Sequence, residues 1–477
     1  MFFMLLAYNI SIDKRGDIMN ILDYKNKRVH FIAIGGSSMS GLAMMLKNLG
    51  FSKLSGSDWA EGKALPKLRQ AGITVASQHD VENMKDAELV VYSAAIGPKN
   101  CEYAFAAENG IPMLRRDQLL GELSRAYKNC IGVSGTHGKT TTTGLISEIF
   151  QYANRDATIH IGGVLPMLNS NVHLGKGDTF ITEACEYVDS FLTLSPTYAI
   201  VLNIDADHLD YFKDLDHIYS SFMKFVQPVP EHGCVIGCGD DERTARLLKE
   251  CGKRAISYGF EPTNDFYPED ITFTPEGFPC YTLCKKGERL FRVELGIVGK
   301  LNILNSMAAI ICSMENGISK EDIIGGIKEF HGVMRRFEDR GSYNGARIVH
   351  DYAHHPQEVA ALVAAAQPIE KNRLWVVYQP ALFSRTKAQF DRLVKCFTGA
   401  DKVIIIDIFG SREPFDPTIH SSMLVDKIKE LGQDCIYIST MEEAAQYLKQ
   451  NLQPGDLCLT SGSGSIDKLD SFIVEKN

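Results

Sequence analysis

The sequence predicts an α/β protein with three domains, each built on a mostly parallel sheet covered by helices. Two observations carry that expectation. Short β-branched runs alternate with helical stretches, as in "RVHFIAIGG" followed by "SSMSGLAMMLKNLG". Continuous apolar strands of that kind read as parallel strands buried on both faces. At 477 residues the chain is also too long for one core and suits about three.

In chain order, the first block (27–127) holds a strand over Val29–Ile34, a glycine turn, a helix and a second strand in "AELVVYSAAI" (87–96). The second block (128–334) opens at "NCIGVSGTHGKTTTTGLISEIF", again strand, loop and helix. It adds strands at 179–184, 198–204 and 233–238, with "DSFLTLSP" read as a further unit of the same kind. The third block (335–477) holds strands at 346–353, 374–379, 402–409, 434–438 and 456–460, separated by amphipathic helices. Residues 1–26 are expected to be an N-terminal extension. Its apolar start, "MFFMLLAYNI", is too short to span a bilayer and lacks the flanks of a signal peptide. Met19 opens a more natural beginning, so the first 18 residues read as a start-codon artefact or a frayed tail.

Composition excludes several classes. The net charge is −9 and the pI about 5.8, which argues against general binding to nucleic acid or to anionic membranes. A local cation cluster still suits anionic small molecules. No other segment approaches a membrane span, so a soluble, cytoplasmic chain is expected, either monomer or homodimer. The twelve cysteines contain no C-x-x-C pair and read as reduced, mostly buried thiols.

The densest chemistry lies in "GVSGTHGKTTTT". It departs from the common phosphate-loop pattern, which places a glycine five positions before Gly138, where this chain has Val133. The physical requirements are nonetheless present. Gly135 and Gly138 let backbone N–H groups of Thr136 and His137 converge on an anion at a helix N-terminus. Lys139 supplies a cation for β- and γ-phosphates, Thr140 a hydroxyl for Mg²⁺, and Thr141 a further hydroxyl. The competing reading is a plain helix cap by Thr136 or a neighbouring hydroxyl.

Other polar residues gather at strand ends. Glu183 closes "TFITE", placed to reach a metal or simply a solvated acid. "VLNIDADHLDYF" brings Asp205, Asp207, His208 and Asp210 to a strand C-terminus, where open α/β sheets build ligand sites. Asn302 and Asn305 are three apart and so share a helix face. Asparagine pairs well with an adenine edge, although Asn302 also fits a helix cap. "MRRFEDRGSYNGARIVHDYAHHPQEV" brings Arg335, Arg336, Asp351, Tyr352, His354 and His355 into one segment. His355-Pro356 reads equally as a helix start and is not assigned.

The spacing G-x-x-G-T-x-G-K-[ST], with these landmarks in order, resembles the Mur ligase family, the ATP-dependent amino-acid ligases of peptidoglycan assembly. The resemblance runs from about residue 27 to 470. It implies a Rossmann-like UDP-binding domain, a central P-loop ATPase-like domain and a Rossmann-like C-terminal domain. It also implies Mg²⁺ on Thr140, Glu183 and His208, adenine near Asn302 and Asn305, ATP phosphate on Arg336 and ribose on Asp351. Tyr352, His354 and Arg385 would face the acceptor side.

In the first block, "AIGGSSMSGLA", "SGSD" and "YSAAI" resemble the family's UDP-sugar domain. That likeness implies contacts from Gly35, Gly36, Ser37, Ser38, Met39, Ser40, Ser57, Asp58 and Ser93. The member resembled most joins L-alanine to the lactyl carboxylate of UDP-N-acetylmuramate through an acyl phosphate. The proton-accepting base is left between His208 and His354.

Several departures stand out. Ala381 occupies a position often held by His, Leu301 replaces the His of H-N-x-x-N, and "SGSGSIDKL" stands where "GAGDI" is usual. Phe222 aligns with the carbamylated lysine of sibling ligases, so none is expected here. Two alternatives follow: a related ligase for another amino acid or peptide, and a non-catalytic nucleotide-binding regulator. An NAD-dependent oxidoreductase is disfavoured by the broken glycine pattern in both loops.

Overall fold

The structure is a computed structural model that describes residues 19–474, apart from 60–63, 94, 209–210 and 412. The expected extension is therefore outside the described residues up to residue 18, as is Asp210. Chain contacts divide the protein into two compact units. The first is 1–267 with 284–289 and 304–326; the second is 268–283, 290–303 and 327–477.

The first unit begins with a five-stranded parallel sheet of β1 (Arg28–Ile32), β2 (Lys53–Ser57), β3 (Thr74–Ala76), β4 (Leu89–Tyr92) and β5 (Met113–Arg115), in the order β3-β2-β1-β4-β5. The order reverses beside β1, which leaves a crevice at its C-terminal end. Gly35 and Gly36 lie there, before the helix Ser37–Asn48. Met19 and Ile21 belong to the adjoining core.

The same unit continues with β6 (Asn129–Ser134), β7 (Thr158–Leu165), β8 (Ser170–His173), β9 (Thr179–Glu183), β10 (Tyr198–Val201), β11 (Cys234–Cys238) and β12 (Ala255–Tyr258). These run in the order β12-β11-β10-β6-β9-β7-β8, parallel except for the β7–β8 hairpin. β6 is central, so its C-terminal end lies between the ends of β9 and β10. "DSFLTLSP" is not a strand. Tyr187–Thr193 forms tight helical turns, broken by left-handed Val188 and Asp189, and Phe191 stacks on Phe225 at 4.8 Å.

β13 (Phe266–Phe273), β14 (Pro279–Lys285) and β15 (Glu288–Glu294) fall where the chain passes between units. The alternation of polar and apolar residues in them carries no β-branched run of the parallel type, and the sequence reading passed over them.

The second unit holds β16 (Glu338–Tyr343), β17 (Ala346–Asp351), β18 (Leu374–Tyr378), β19 (Lys402–Ile405), β20 (Cys435–Tyr437) and β21 (Leu457–Ser461), in the order β16-β17-β21-β18-β19-β20. All pairs are parallel except the β16–β17 hairpin. Val349, Val376, Ile405 and Leu459 pack in one core, and Ile348, Val377, Ile404 and Cys458 in another. Alternate residues point to opposite faces, so burial on both faces demands uninterrupted apolar strands. No helix among the described residues is long and apolar enough to cross a membrane. All twelve cysteines are free thiols, nine of them buried.

Candidate active site

In the first unit, the loop after β6 is shaped by its glycines. Gly135 has φ 138° and Gly138 φ 87°, both in the region that L side chains rarely adopt. A Cβ on Gly138 would lie 2.5 Å from Asn305 Oδ1, and one on Gly135 2.9 Å from Leu202 Cβ. Gly138 is itself the N-cap of the helix Lys139–Tyr152, with no side-chain cap. The plain-cap reading for Thr136 therefore does not hold.

The Thr136 hydroxyl instead accepts from Asp205 N at 2.9 Å. His137 N donates to Asn203 Oδ1 at 2.8 Å, and Asn203 Nδ2 returns a bond to the His137 carbonyl. These bonds pin the "NIDADH" segment against the loop. The threonine run is explained in part: Thr143 donates to the Lys139 carbonyl at 2.8 Å, while Thr140 and Thr141 stay half-buried at the first turn.

Lys139 Nζ donates to the carbonyls of Gly135 and Thr136 at 2.5 and 3.0 Å, and to both carboxylate oxygens of buried Glu186 at 3.0 and 3.1 Å. Burial is the largest single influence and lowers the lysine pKa, but the Glu186 charge and hydrogen bond, with Cys185 and Glu183, together outweigh it and the net shift is upward, so Lys139 is a cation. Glu186 stands where an anion would meet that cation.

His208, at φ 52°, brings Nε2 to 3.9 Å from Glu186 and 3.8 Å from Asp207, with the Tyr187 ring 4.6 Å away. One ligand atom from each of Glu186, Asp207 and His208 lies within 4.8 Å of the others. Carboxylate oxygens beside an imidazole form a donor set compatible with Mg²⁺ and its retained waters. Glu183, the expected ligand, accepts from Gly162 N at 2.8 Å.

Glu183 also lines a cavity of about 220 Å³ with Ser38, Arg116, His160 and Cys185. Ser38 Oγ meets His160 Nε2 at 3.0 Å and accepts from Arg116 at 3.3 Å. Burial, with Arg116 nearby, lowers the His160 pKa to about 4. The first-block glycine loop is braced by Asp58, whose Oδ2 accepts from Gly35 N at 2.7 Å.

The remaining first-block candidates divide. Ser57 donates to buried Glu102 at 2.5 Å and meets His79 at 2.7 Å, so its hydroxyl is engaged within the domain. Met39 is core. Ser40 N bonds back to Gly36 O at 2.9 Å, and the Ser93 hydroxyl accepts from Ala95 N at 3.4 Å. The Ser37 side chain lies outside the described residues.

In the second unit, Asp351 ends β17. Its two oxygens accept from Phe337 N and Ala353 N, both at 2.7 Å, and burial raises its pKa. Arg335 and Arg336 lie over the Tyr352 ring, with guanidinium carbons at 4.6 and 5.6 Å from its centre. His354 Nδ1 is 3.0 Å from the Tyr352 carbonyl. A carbonyl only accepts, so Nδ1 carries the proton and Nε2 keeps the lone pair. Burial holds His354 down at about 4.

His355 caps the helix Pro356–Ala366, and Glu358 accepts from the backbone N–H of His354 and His355. Burial would raise Glu358, but His354, Arg336 and those N–H groups bring it to about 2. Arg385, on the helix Phe383–Ala388, acts on His354 through its charge. Ala381 is buried and bridges to Phe409. Also in the second unit, Asn302 donates to the Val298 carbonyl at 2.7 Å.

The sequence reading missed Glu186, Asn203, Glu358, Arg116 and His160. Glu186 had a signal, since "EACE" places a second carboxylate three residues beyond the strand end. Asn203 lies just past the end of β10, beside the loop, and Glu358 stands three after the cap, a capping-box spacing. Arg116 stands in "GIPMLRRDQLLGEL", a stretch that also resembles the family but in which nothing marks a ligand, and His160 belongs to no motif.

A phosphate loop at the centre of one parallel sheet, and an arginine–aspartate–histidine cluster on another, define a nucleotide-dependent enzyme of the Mur ligase type. The chain belongs to that family. It matches the models described as Mur ligase family, catalytic domain (residues 28–128), Mur ligase middle domain (133–313) and Mur ligase, glutamate ligase domain (335–464). It is 46% identical over 461 residues to the UDP-N-acetylmuramate–L-alanine ligase of Acetivibrio thermocellus, covering 96% of this chain and 98% of that one. The same-named ligase of Clostridium botulinum is 42% identical over 450 residues, covering 94% and 98%. The crystal structure of UDP-N-acetylmuramate-alanine ligase from Thermotoga maritima is similar with a TM-score of 0.77 at 25% identity, covering 93% and 97%.

Proposed function

We propose that this chain is an ATP-dependent ligase that joins L-alanine to the lactyl carboxylate of UDP-N-acetylmuramate, releasing ADP and phosphate in peptidoglycan precursor synthesis. Near full-length identity of 42–46% to ligases so named supports the reading. The observation that carries the chemistry is Lys139, held between two loop carbonyls and Glu186 at the mouth of a glycine-shaped helix N-terminus. We retain the divisions 27–127, 128–334 and 335–477 as UDP-sugar, ATP and amino-acid domains.

The substrate carboxylate takes the γ-phosphoryl group of ATP, giving an acyl phosphate and ADP. The alanine amine then attacks the acyl carbon, and phosphate leaves as the amide forms. Lys139 and the loop N–H groups bind and orient the phosphates. Thr140, Glu183 and His208 would hold Mg²⁺, with Glu186 and Asp207 as the further carboxylates of that cluster. Bound there, the ion would neutralise charge on the transferring phosphoryl group.

Arg336 is assigned to ATP phosphate, Asp351 to ribose, Asn302 and Asn305 to adenine, and Arg385 and Tyr352 to the acceptor side. His208 and His354 are the two candidate bases; His354 keeps its lone pair on Nε2, and burial, which holds the ring near 4, makes it a weak proton acceptor. The first-block loop from Gly35 to Ser40, with Asp58 and Ser93, is assigned to the UDP-sugar.

The test is phosphate release by the purified chain with ATP, Mg²⁺, UDP-N-acetylmuramate and a panel of amino acids. Alanine-dependent release is expected, and the absence of alanine-dependent release overturns the assignment. Buried Ala381 offers no polar side chain, which favours the second reading, a ligase for another amino acid, and the same panel decides it. No release with any amino acid leaves only the regulator.

A further inference from the structure

Arg335 precedes the assigned Arg336, and the reaction above gives it no role. Its surroundings are unusually built for a residue without one. Its backbone is left-handed, at φ 65°, as is Phe337 at φ 45°, a conformation that persists only where neighbours enforce it. Glu338 accepts from Arg335 N at 2.6 Å, and the Arg335 carbonyl accepts from Tyr352 N at 2.7 Å.

The guanidinium leads into the core of the second unit. Arg335 Nε reaches His350 Nε2 at 3.5 Å, and His350 Nδ1 meets Thr460 Oγ1 at 2.9 Å. The Thr460 hydroxyl donates to Asp470 Oδ1 at 2.9 Å. His350 and Thr460 are fully buried, and Asp470 is 5% exposed. Only one tautomer satisfies the chain. Arg335 donates to Nε2, Nδ1–H donates to the threonine oxygen, and the threonine proton goes to the carboxylate. Every donor points the same way, from cation to anion. Burial keeps His350 neutral, down at about 4, which leaves Nε2 able to accept. Arg340 faces the other Asp470 oxygen at 3.4 Å.

We propose that Arg335 is a positioning residue, anchored through His350 and Thr460 to Asp470, that fixes the Tyr352 ring and the backbone presenting Arg336. The proposal rests on the ligase reading, which assigns Tyr352 to the amino-acid side and Arg336 to ATP. Because Arg335 stacks on Tyr352 at 4.6 Å and bonds its backbone, loosening the anchor displaces both assigned groups together. A small displacement at a positioned group weakens binding by an order of magnitude or more.

Steady-state kinetics on the full chain test this with His350→Leu, His350→Gln and Arg335→Lys, each checked for cooperative unfolding. His350→Leu and Arg335→Lys are expected to raise KM for ATP and for alanine about tenfold, with kcat within about threefold. The His350→Gln amide still accepts from the guanidinium, and it is expected to bring both KM values back to within about threefold of the parent. Unchanged KM values in a folded His350→Leu, or a Gln variant as impaired as Leu, overturn the proposal. Should His350→Leu not fold, Arg335→Lys decides by the same values, because Arg335 is only half-buried and the substitution keeps its charge. Failure of the parent chain to release phosphate with alanine overturns the ligase reading instead. Equilibrium titration with ATP then decides the anchor, and equal affinity in parent and Arg335→Lys sinks it.

Discussion

The phosphate loop and the Arg335–Glu358 cluster achieve polar recognition by opposite means. The loop is backbone-built: two left-handed glycines, a helix N-terminus and one ion pair, Lys139–Glu186. The cluster is side-chain-built. It half-buries Asp351, His354 and Glu358, shifts the pKa of each and tolerates left-handed Arg335 and Phe337. Backbone recognition concentrates its sensitivity in few residues, whereas a side-chain cluster spreads it over many and couples it to pH.

The largest expected effect separates the two roles of Lys139. Lys139→Ala removes the cation for phosphate and leaves Glu186, 3% exposed in its side chain, without its partner. Turnover should fall by about 10³-fold or more, and stability by about 3 kcal/mol, the cost of breaking a buried pair. Adding Glu186→Gln should restore most of the stability and none of the turnover. Urea unfolding and phosphate release on single and double variants check this. Recovery of turnover in the double variant would make the ion pair structural rather than phosphate-binding.

The same contrast explains what was legible in the sequence. The parallel sheets, the loop and the D-Y-x-H-H-P strand end were readable, because continuous apolar strands and glycine–lysine spacing are local patterns. β13 to β15 and the Tyr187–Thr193 turns were not, since Val188 and Asp189 give no local sign of left-handed backbone. Glu186 was overlooked in favour of Glu183 because residue type cannot show which of two neighbouring carboxylates turns toward a lysine. His160 and Arg116 meet at Ser38 only through packing of distant segments, a contact that no spacing encodes.

Next in size is the choice between those carboxylates. Glu183→Gln should raise the Mg²⁺ concentration for half-maximal turnover about tenfold or more if Glu183 is the ligand, as expected of a lost metal contact. Glu186→Gln should then act chiefly through Lys139, with a smaller shift in Mg²⁺ requirement. The opposite ranking assigns the ion to the Glu186–Asp207–His208 group. Removal of divalent cations by chelation should stop turnover in both cases, reversibly on adding Mg²⁺.

The cluster's coupling to pH gives a smaller, testable effect. His354 titrates near 4 when folded and near 6.5 when unfolded. Between those values the unfolded chain binds the extra proton, so stability falls as pH drops through that window. The full contribution is on the order of 3 kcal/mol. Glu358, near 2 when folded, adds a loss of the same sign only below about 4.5. His354→Gln should therefore flatten the decline between pH 6.5 and 4.5 and, because His354 is the leading influence that holds Glu358 down, shrink the lower limb as well. Urea midpoints across that range check it, and parallel curves for parent and variant would place the ring's titration elsewhere.

The smallest effect is expected at Leu301, where the family pattern has histidine. Leu301 is 58% exposed at the first position of the helix Leu301–Glu315, so it contributes little packing. Leu301→His should change stability by no more than about 0.5 kcal/mol. On the proposed reading the loop N–H groups and Lys139 bind the phosphates, and a side chain beside adenine would add only a marginal contact. KM for ATP should then move less than about threefold. A larger drop in KM would show that this chain has lost a side-chain contact to the base, and that its nucleotide site depends on side chains as the second unit's cluster does.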